Sequence, residues 1–280
     1  MVAGPSPPNP LSHKARGGTV QCQRQDQPLS QNWERGGEPK RAGVRACGGG
    51  WSLAAALLLT LCVVFGAVAG QAQQATSSLV FATVRYESGN WDSAPLVPAN
   101  LIHSIAQYTD IAVAPEGVVV DLGSPELFRY PFVYLTGHLP VRFTELESRN
   151  LRAFVERGGF VFIDDHNHNI DGAFHRTVTA ELARIFGAGA LRQIPNDHEL
   201  YRAFFRFPDG PPTTSHELSG WGDNLIHEHL FGIEVGGRIG VLYSNKDYSS
   251  EWNYHPQNKR FLAVDNTRFG VNILVYALTR

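Results

Sequence analysis

Cysteine is missing from everything after residue 62: Cys22, Cys47 and Cys62 are the only three in the 280-residue chain. The remainder therefore has no disulfide, no thiolate metal site and no cysteine nucleophile. Cys62 follows Leu59-Thr60-Leu61, without the small residue that precedes a lipidated cysteine, so a lipoprotein anchor is not expected. Methionine occurs once, at Met1, and lysine four times against twenty arginines. No basic tract is present. From Gly70 onward 17 Lys and Arg face 23 Asp and Glu, with ten histidines, and this acidic balance excludes the phosphate-dominated binding used on nucleic acids. Also absent are a Gly-x-Ser-x-Gly elbow, a phosphate-binding P-loop and a complete dinucleotide fingerprint; Gly187-Ala188-Gly189 follows a helical pattern, the wrong side for the last of these.

Residues 1–50 have little apolar periodicity and hold runs such as Pro5-Ser6-Pro7-Pro8-Asn9-Pro10 and Gly48-Gly49-Gly50. Such a stretch buries too little apolar surface to offset its ordering entropy, so disorder is expected. Residues 51–70 are different. Leu53 to Leu59 is unbroken Leu and Ala, the apolar character continues to Ala69, and Lys40, Arg41 and Arg45 precede it. This is the pattern of an export segment with its amino end in the cytoplasm. Ala67 and Ala69 fit an A-x-A cleavage site, while a length of about 19 mostly apolar residues also fits an uncleaved anchor. A periplasmic or extracytoplasmic location follows from either. The polar preface is long for a signal peptide, and Val44 stands where an alternative start would open a compact basic n-region, so residues 1–43 read as an overlong start.

Residues 76–280 read as one α/β domain. Leu79–Arg85, Val118–Val120, Phe132–Thr136, Phe160–Ile163 and Ile239–Tyr243 are short β-branched and aromatic runs, expected as strands. Between them fall helical patterns. Pro98 opens one with Leu101, Ile102, Ile105 and Tyr108 on a face; Thr144 and Glu147 form a capping box ahead of Leu151, Phe154 and Val155, closed by Gly158-Gly159; and Phe174, Val178, Leu182 and Ile185 precede Gly187. Phe269 to Leu278 is a closing helix, and residues 188–237 are irregular. The alternation predicts a mostly parallel central sheet with helices on both faces.

Ligands of open α/β sheets bind beyond the carboxyl ends of the strands. Those ends are Arg85 to Asp92, Thr136-Gly137-His138, Asp164-Asp165-His166-Asn167-His168 and Ser244 to Tyr248, and they are expected to share one rim. The third loop is the densest in chemistry. Asp165, His166 and His168 are candidate ligands for a divalent Zn, Fe or Mn ion, with His138 as an extra one; Asp164, Asp165 and His138 are candidate acid–base groups without metal. The plainer alternative is that Asp164 caps a turn, Asp165 and Asn167 make Asx turns, and the histidines face water. His227-Glu228-His229 lacks the H-E-x-x-H spacing and reads as solvent-exposed, and Asn196 to Glu199 as a cap or turn.

Phe128 to His138, Gly158 to Asp165 and Phe269 to Leu278 together resemble the bacterial family called domain of unknown function 4159, over nearly the whole exported body. The resemblance implies a flavodoxin-like three-layer sandwich similar to class I glutamine amidotransferases and ThuA-like proteins. It also implies envelope partners of the MoxR and von Willebrand-type systems. The fold relatives carry a cysteine at a strand-to-helix elbow where this chain has Thr136-Gly137-His138, so glutaminase chemistry is not expected. Two functions stay open: a non-catalytic module binding a small polar ligand or a protein partner, which is favoured, and a hydrolase-like enzyme, metal-assisted or not, using Asp164 to His168.

Overall fold

The computed structural model describes residues 78–254 and 263–280; the expectations for residues 1–70 lie outside that range. A seven-stranded sheet runs through the domain in the order β2-β1-β3-β4-β7-β6-β5. Its strands are β1 (Ala82–Arg85), β2 (Val118–Asp121), β3 (Phe132–Gly137), β4 (Phe160–Asp165), β5 (Arg192–Gln193), β6 (Phe231–Val235) and β7 (Arg238–Ser244). From β2 to β7 every neighbouring pair is parallel, and β6 and β5 add an antiparallel edge. The parallel part has the order of a doubly wound flavodoxin-like sheet, with the reversal of strand order between β1 and β3.

The central strands carry near-continuous apolar runs because helices cover both faces. Successive side chains of β3 and β4 go to opposite cores. Phe132, Tyr134, Phe160 and Phe162 join α1 (Val97–Tyr108), α5 (Tyr248–Asn253) and α6 (Ala263–Thr279) on one face. Val133, Leu135, Val161 and Ile163 join α2 (Glu145–Glu156) and α3 (Ala173–Phe186) on the other. A short α4 (Ser215–Ser219) lies in the long stretch between β5 and β6.

Local signals act as the sequence leads one to expect. The Thr144–Glu147 capping box is formed at α2, and Gly187, at φ 106°, ends α3 in a conformation that a β-carbon disfavours. The first expected strand is shorter than its apolar run, since Leu79 makes only an isolated bridge to Val113. The irregular stretch also conceals β5 and β6. β6 turns into β7 through Gly236-Gly237, both at positive φ, the backbone a two-residue hairpin requires. Among the described residues no helix is long and apolar enough to cross a membrane.

Candidate functional site

Register brings the four expected loops to one end of the sheet. Thr136 pairs with Asp164, Gly137 with Asp165, and Asp164 with Ser244. Asn90 of the β1 loop reaches the same rim: its Oδ1 accepts from the backbone N–H of His138 and Leu139 at 2.8 and 3.0 Å, and its amide nitrogen lies 3.0 Å from His138 Nδ1. This contact depends on Gly137, where a β-carbon would stand 2.4 Å from the Tyr86 hydroxyl.

The His138 and His166 rings stack with centroids 4.2 Å apart. His166 Nδ1 is 3.1 Å from Ser93 Oγ, and its Nε2 is 3.8 Å from Asp247 Oδ1. Burial, with His138 and His216 nearby, pushes the His166 pKa down to about 3; His138 is lowered by burial alone. Both rings are therefore neutral near pH 7.

Asp164 and Asp165 end β4 and, by the two-residue period of a strand, point to opposite faces. Asp164 is fully buried and accepts from Ser249 N and Ser249 Oγ, each at 2.6 Å, through Oδ2; its Oδ1 has no hydrogen-bond partner among the described residues. Asp165 accepts from Asn167 N at 2.9 Å, the expected Asx turn, and its buried Oδ2 also has no partner among the described residues. Burial raises the two carboxyls to about 6 and about 7. Asp247, held at φ 58°, is raised as well, by burial and then by Asp164. Its Oδ2 is 3.4 Å from His216 Nδ1. Asp247 lies in the expected rim loop after β7 without an assigned role there, and Ser249 and His216 are site residues that the sequence does not announce.

The hydroxyls at this rim are committed to structure. Thr136 Oγ1 donates to the Asp164 carbonyl at 2.8 Å, and Ser249 Oγ lies within 2.9 Å of Thr136 Oγ1 and 2.6 Å of the Tyr134 hydroxyl. Neither is presented as a nucleophile.

His168 goes elsewhere. At φ 48° its side chain turns away from Asp165 and His166, is fully buried, and meets Asn245, Leu225, Asp223 and His227. The expectations that His166 and His168 face water and that His227 is solvent-exposed are both corrected here. His227 is half-buried, 3.0 Å from Asp223 through Nε2. Burial works to raise Asp223, but backbone N–H bonds from Ile170 and Leu225 and the two imidazoles outweigh it and hold this carboxyl below its usual value. Among the described residues, His168, Asp223 and His227 are the group of three whose ligand atoms lie within 4.8 Å of one another. Asp165 and His166 are outside it.

The segment from Thr214 to Leu230 is fastened over this part of the rim. Lys246, fully buried, pairs with buried Glu217 at 2.6 Å, and Glu217 accepts from His227 N and Thr214 N at 2.8 and 2.7 Å. Thr214 Oγ1 donates to the Lys246 carbonyl at 2.9 Å. Burial lowers the Lys246 pKa against the pull of Glu217. Beside the His138–His166 stack a cleft of ≈ 370 Å³ opens between His138, Asn167, Asn169, Trp221 and Gly222. A larger cavity of ≈ 590 Å³ lies at the antiparallel edge, against β5 and β6, away from the carboxyls.

A doubly wound sheet with a polar rim at its carboxyl end defines an α/β domain of the flavodoxin-like class. More specifically, residues 80–278 match the family described as Domain of unknown function (DUF4159), and the chain belongs to it. No curated protein matches the chain.

Proposed function

We propose that this chain is an exported, envelope-associated binding module that takes a small, donor-bearing polar ligand, an amine or a polyol, at the rim beside His138 and His166. The observation that carries the proposal is a buried carboxyl oxygen, Asp165 Oδ2, without a donor among the described residues and two positions before Asn167, which lines an open cleft. A buried acceptor without a donor costs about 1–3 kcal/mol, which a donating ligand recovers. The commitment of Thr136 and Ser249 to structural hydrogen bonds supports a non-catalytic role.

Export rests on the apolar run from Leu53 to Ala69 and the absence of cysteine after it. An envelope protein partner, of the MoxR and von Willebrand-type kind that the family resemblance implies, is supported by exposed Leu218, Trp221, Leu225 and Ile226 in the segment from Thr214 to Leu230, of which Trp221 lines the cleft. The second reading is a hydrolase in which Asp165, raised to about 7, acts as general acid or base.

A thermal-shift screen of amines and polyols on the wild type and Asp165→Asn tests the choice. Stabilisation of the wild type that is lost in the variant is the expected result. Hydrolytic turnover abolished by the same substitution, with no equilibrium ligand, would put the second reading in its place.

A further inference from the structure

The group formed by His168, Asp223 and His227 lies behind the wall of the proposed cleft, which the neighbouring Asn167, Asn169 and Gly222 line. His168 Nε2 lies 3.5 Å from Asp223 Oδ1 and 3.0 Å from the Leu225 carbonyl oxygen, and His227 Nε2 lies 3.0 Å from Asp223 Oδ2. Four-coordinate tetrahedral sites with metal–ligand bonds of about 2.0–2.1 Å place their ligand atoms about 3.3 Å apart. The three side-chain ligand atoms lie within 4.8 Å of one another, close enough for one ion to draw them together.

Two hydrogen-bond observations point to the same occupant. His168 faces carbonyl oxygens with both ring nitrogens, Asn245 O at 2.8 Å from Nδ1 and Leu225 O at 3.0 Å from Nε2. A neutral imidazole has one N–H and satisfies only one of them. A metal ion on Nε2 resolves the conflict, because the Leu225 oxygen becomes a ligand and Nδ1–H keeps the Asn245 carbonyl. That is the outer-shell bond typical of metal-bound histidine. The second observation is Asn245 itself. Its side chain is 1% exposed, its Oδ1 has no partner among the described residues, and its amide nitrogen sits beside the His227 ring, 3.3 Å from Nδ1 and 3.2 Å from Nε2. With metal on His227 Nε2 the ring proton is on Nδ1, and the Asn245 amide, turned over, supplies the acceptor. One residue then orients both histidines.

We infer that His168 Nε2, His227 Nε2, an Asp223 carboxylate oxygen and the Leu225 carbonyl hold a divalent transition-metal ion, zinc by its two imidazoles and carboxylate. With all four positions filled by protein the ion is structural. It clamps the segment carrying Asp223, Leu225 and His227 to the loop that follows β4.

Chelator-treated full-length protein is titrated with Zn²⁺ and, separately, with Co²⁺, whose visible absorption reports tetrahedral geometry. One equivalent of either is expected to bind, with the tetrahedral Co²⁺ spectrum. Asp223→Asn and His227→Gln abolish stoichiometric binding, and Asn245→Ala weakens it about 10- to 100-fold. His227→Cys adds a thiolate-to-Co²⁺ charge-transfer band absent from the wild type, a gain that a misfolded variant does not mimic. Absence of one-equivalent binding in the wild type, or binding indifferent to Asp223 and His227, overturns the inference and leaves a buried imidazolium–carboxylate pair in its place.

Discussion

His138 and His166, 28 positions apart, stack face to face at the carboxyl end of adjacent parallel strands, their ring planes 27° apart. The contact follows from the pairing of Gly137 with Asp165. It sets two neutral imidazoles in front of carboxyls that burial keeps partly protonated.

A raised Asp165 pKa makes folding take up protons. Between the ordinary aspartate value and about 7 the folded state binds more protons than the unfolded one, so this group's contribution is full at low pH and is lost as pH rises through that window. The slope is about 1.4 kcal/mol per pH unit for one proton. Asp165→Asn, which keeps an oxygen for Asn167 N, removes it. Urea unfolding of both proteins from pH 4 to 8 is expected to show the variant gaining on the wild type by several kcal/mol; parallel curves would contradict the assignment.

The Lys246–Glu217 pair is fully desolvated. Lys246→Met leaves Glu217 buried without its cation, and a loss of about 3–5 kcal/mol is expected. The double variant Lys246→Met, Glu217→Gln, which removes the buried charge and keeps an oxygen for one of the Thr214 and His227 N–H groups, recovers part of that loss. A denaturation double-mutant cycle measures both.

Gly222, at φ 67°, passes so close to β4's following loop that a β-carbon would stand 1.8 Å from the His168 carbonyl oxygen, an acceptor already used by Asp223 N at 2.9 Å. Gly222→Ala is expected to detach the segment from Thr214 to Leu230. Amide exchange should speed up there, with β3 and β4 unaffected.

Ser249 supplies both donors to Asp164 Oδ2. Ser249→Ala removes one of them inside the core, an expected cost of about 1–3 kcal/mol. The Asp164 pKa is expected to rise further, readable by carboxyl-carbon NMR titration.

The fold was legible where one signal dominated locally. Thr144 and Glu147 announce α2, and the apolar run from Phe160 to Ile163 announces a strand covered on both faces. The antiparallel edge was not, because Arg192-Gln193 is too short for a pattern; β6 had a signal in Gly236-Gly237 ahead of Arg238 that could have revealed the hairpin. At the site, strand ends alone brought His138, Asp164, Asp165 and His166 together. The turn of His168 toward Asp223 and His227 was hidden, since it depends on a left-handed backbone and on a segment more than fifty residues later. Asp247 likewise takes φ 58°, a conformation sequence does not announce.

Crystals soaked with amine- and polyol-bearing fragments test the central claim most directly. The expected result is a fragment in the cleft between His138 and Trp221, donating to the Asp165 carboxyl and displaced in Asp165→Asn. Fragments gathering instead in the ≈ 590 Å³ cavity against β5 and β6, with the His138–His166 cleft empty, would contradict it.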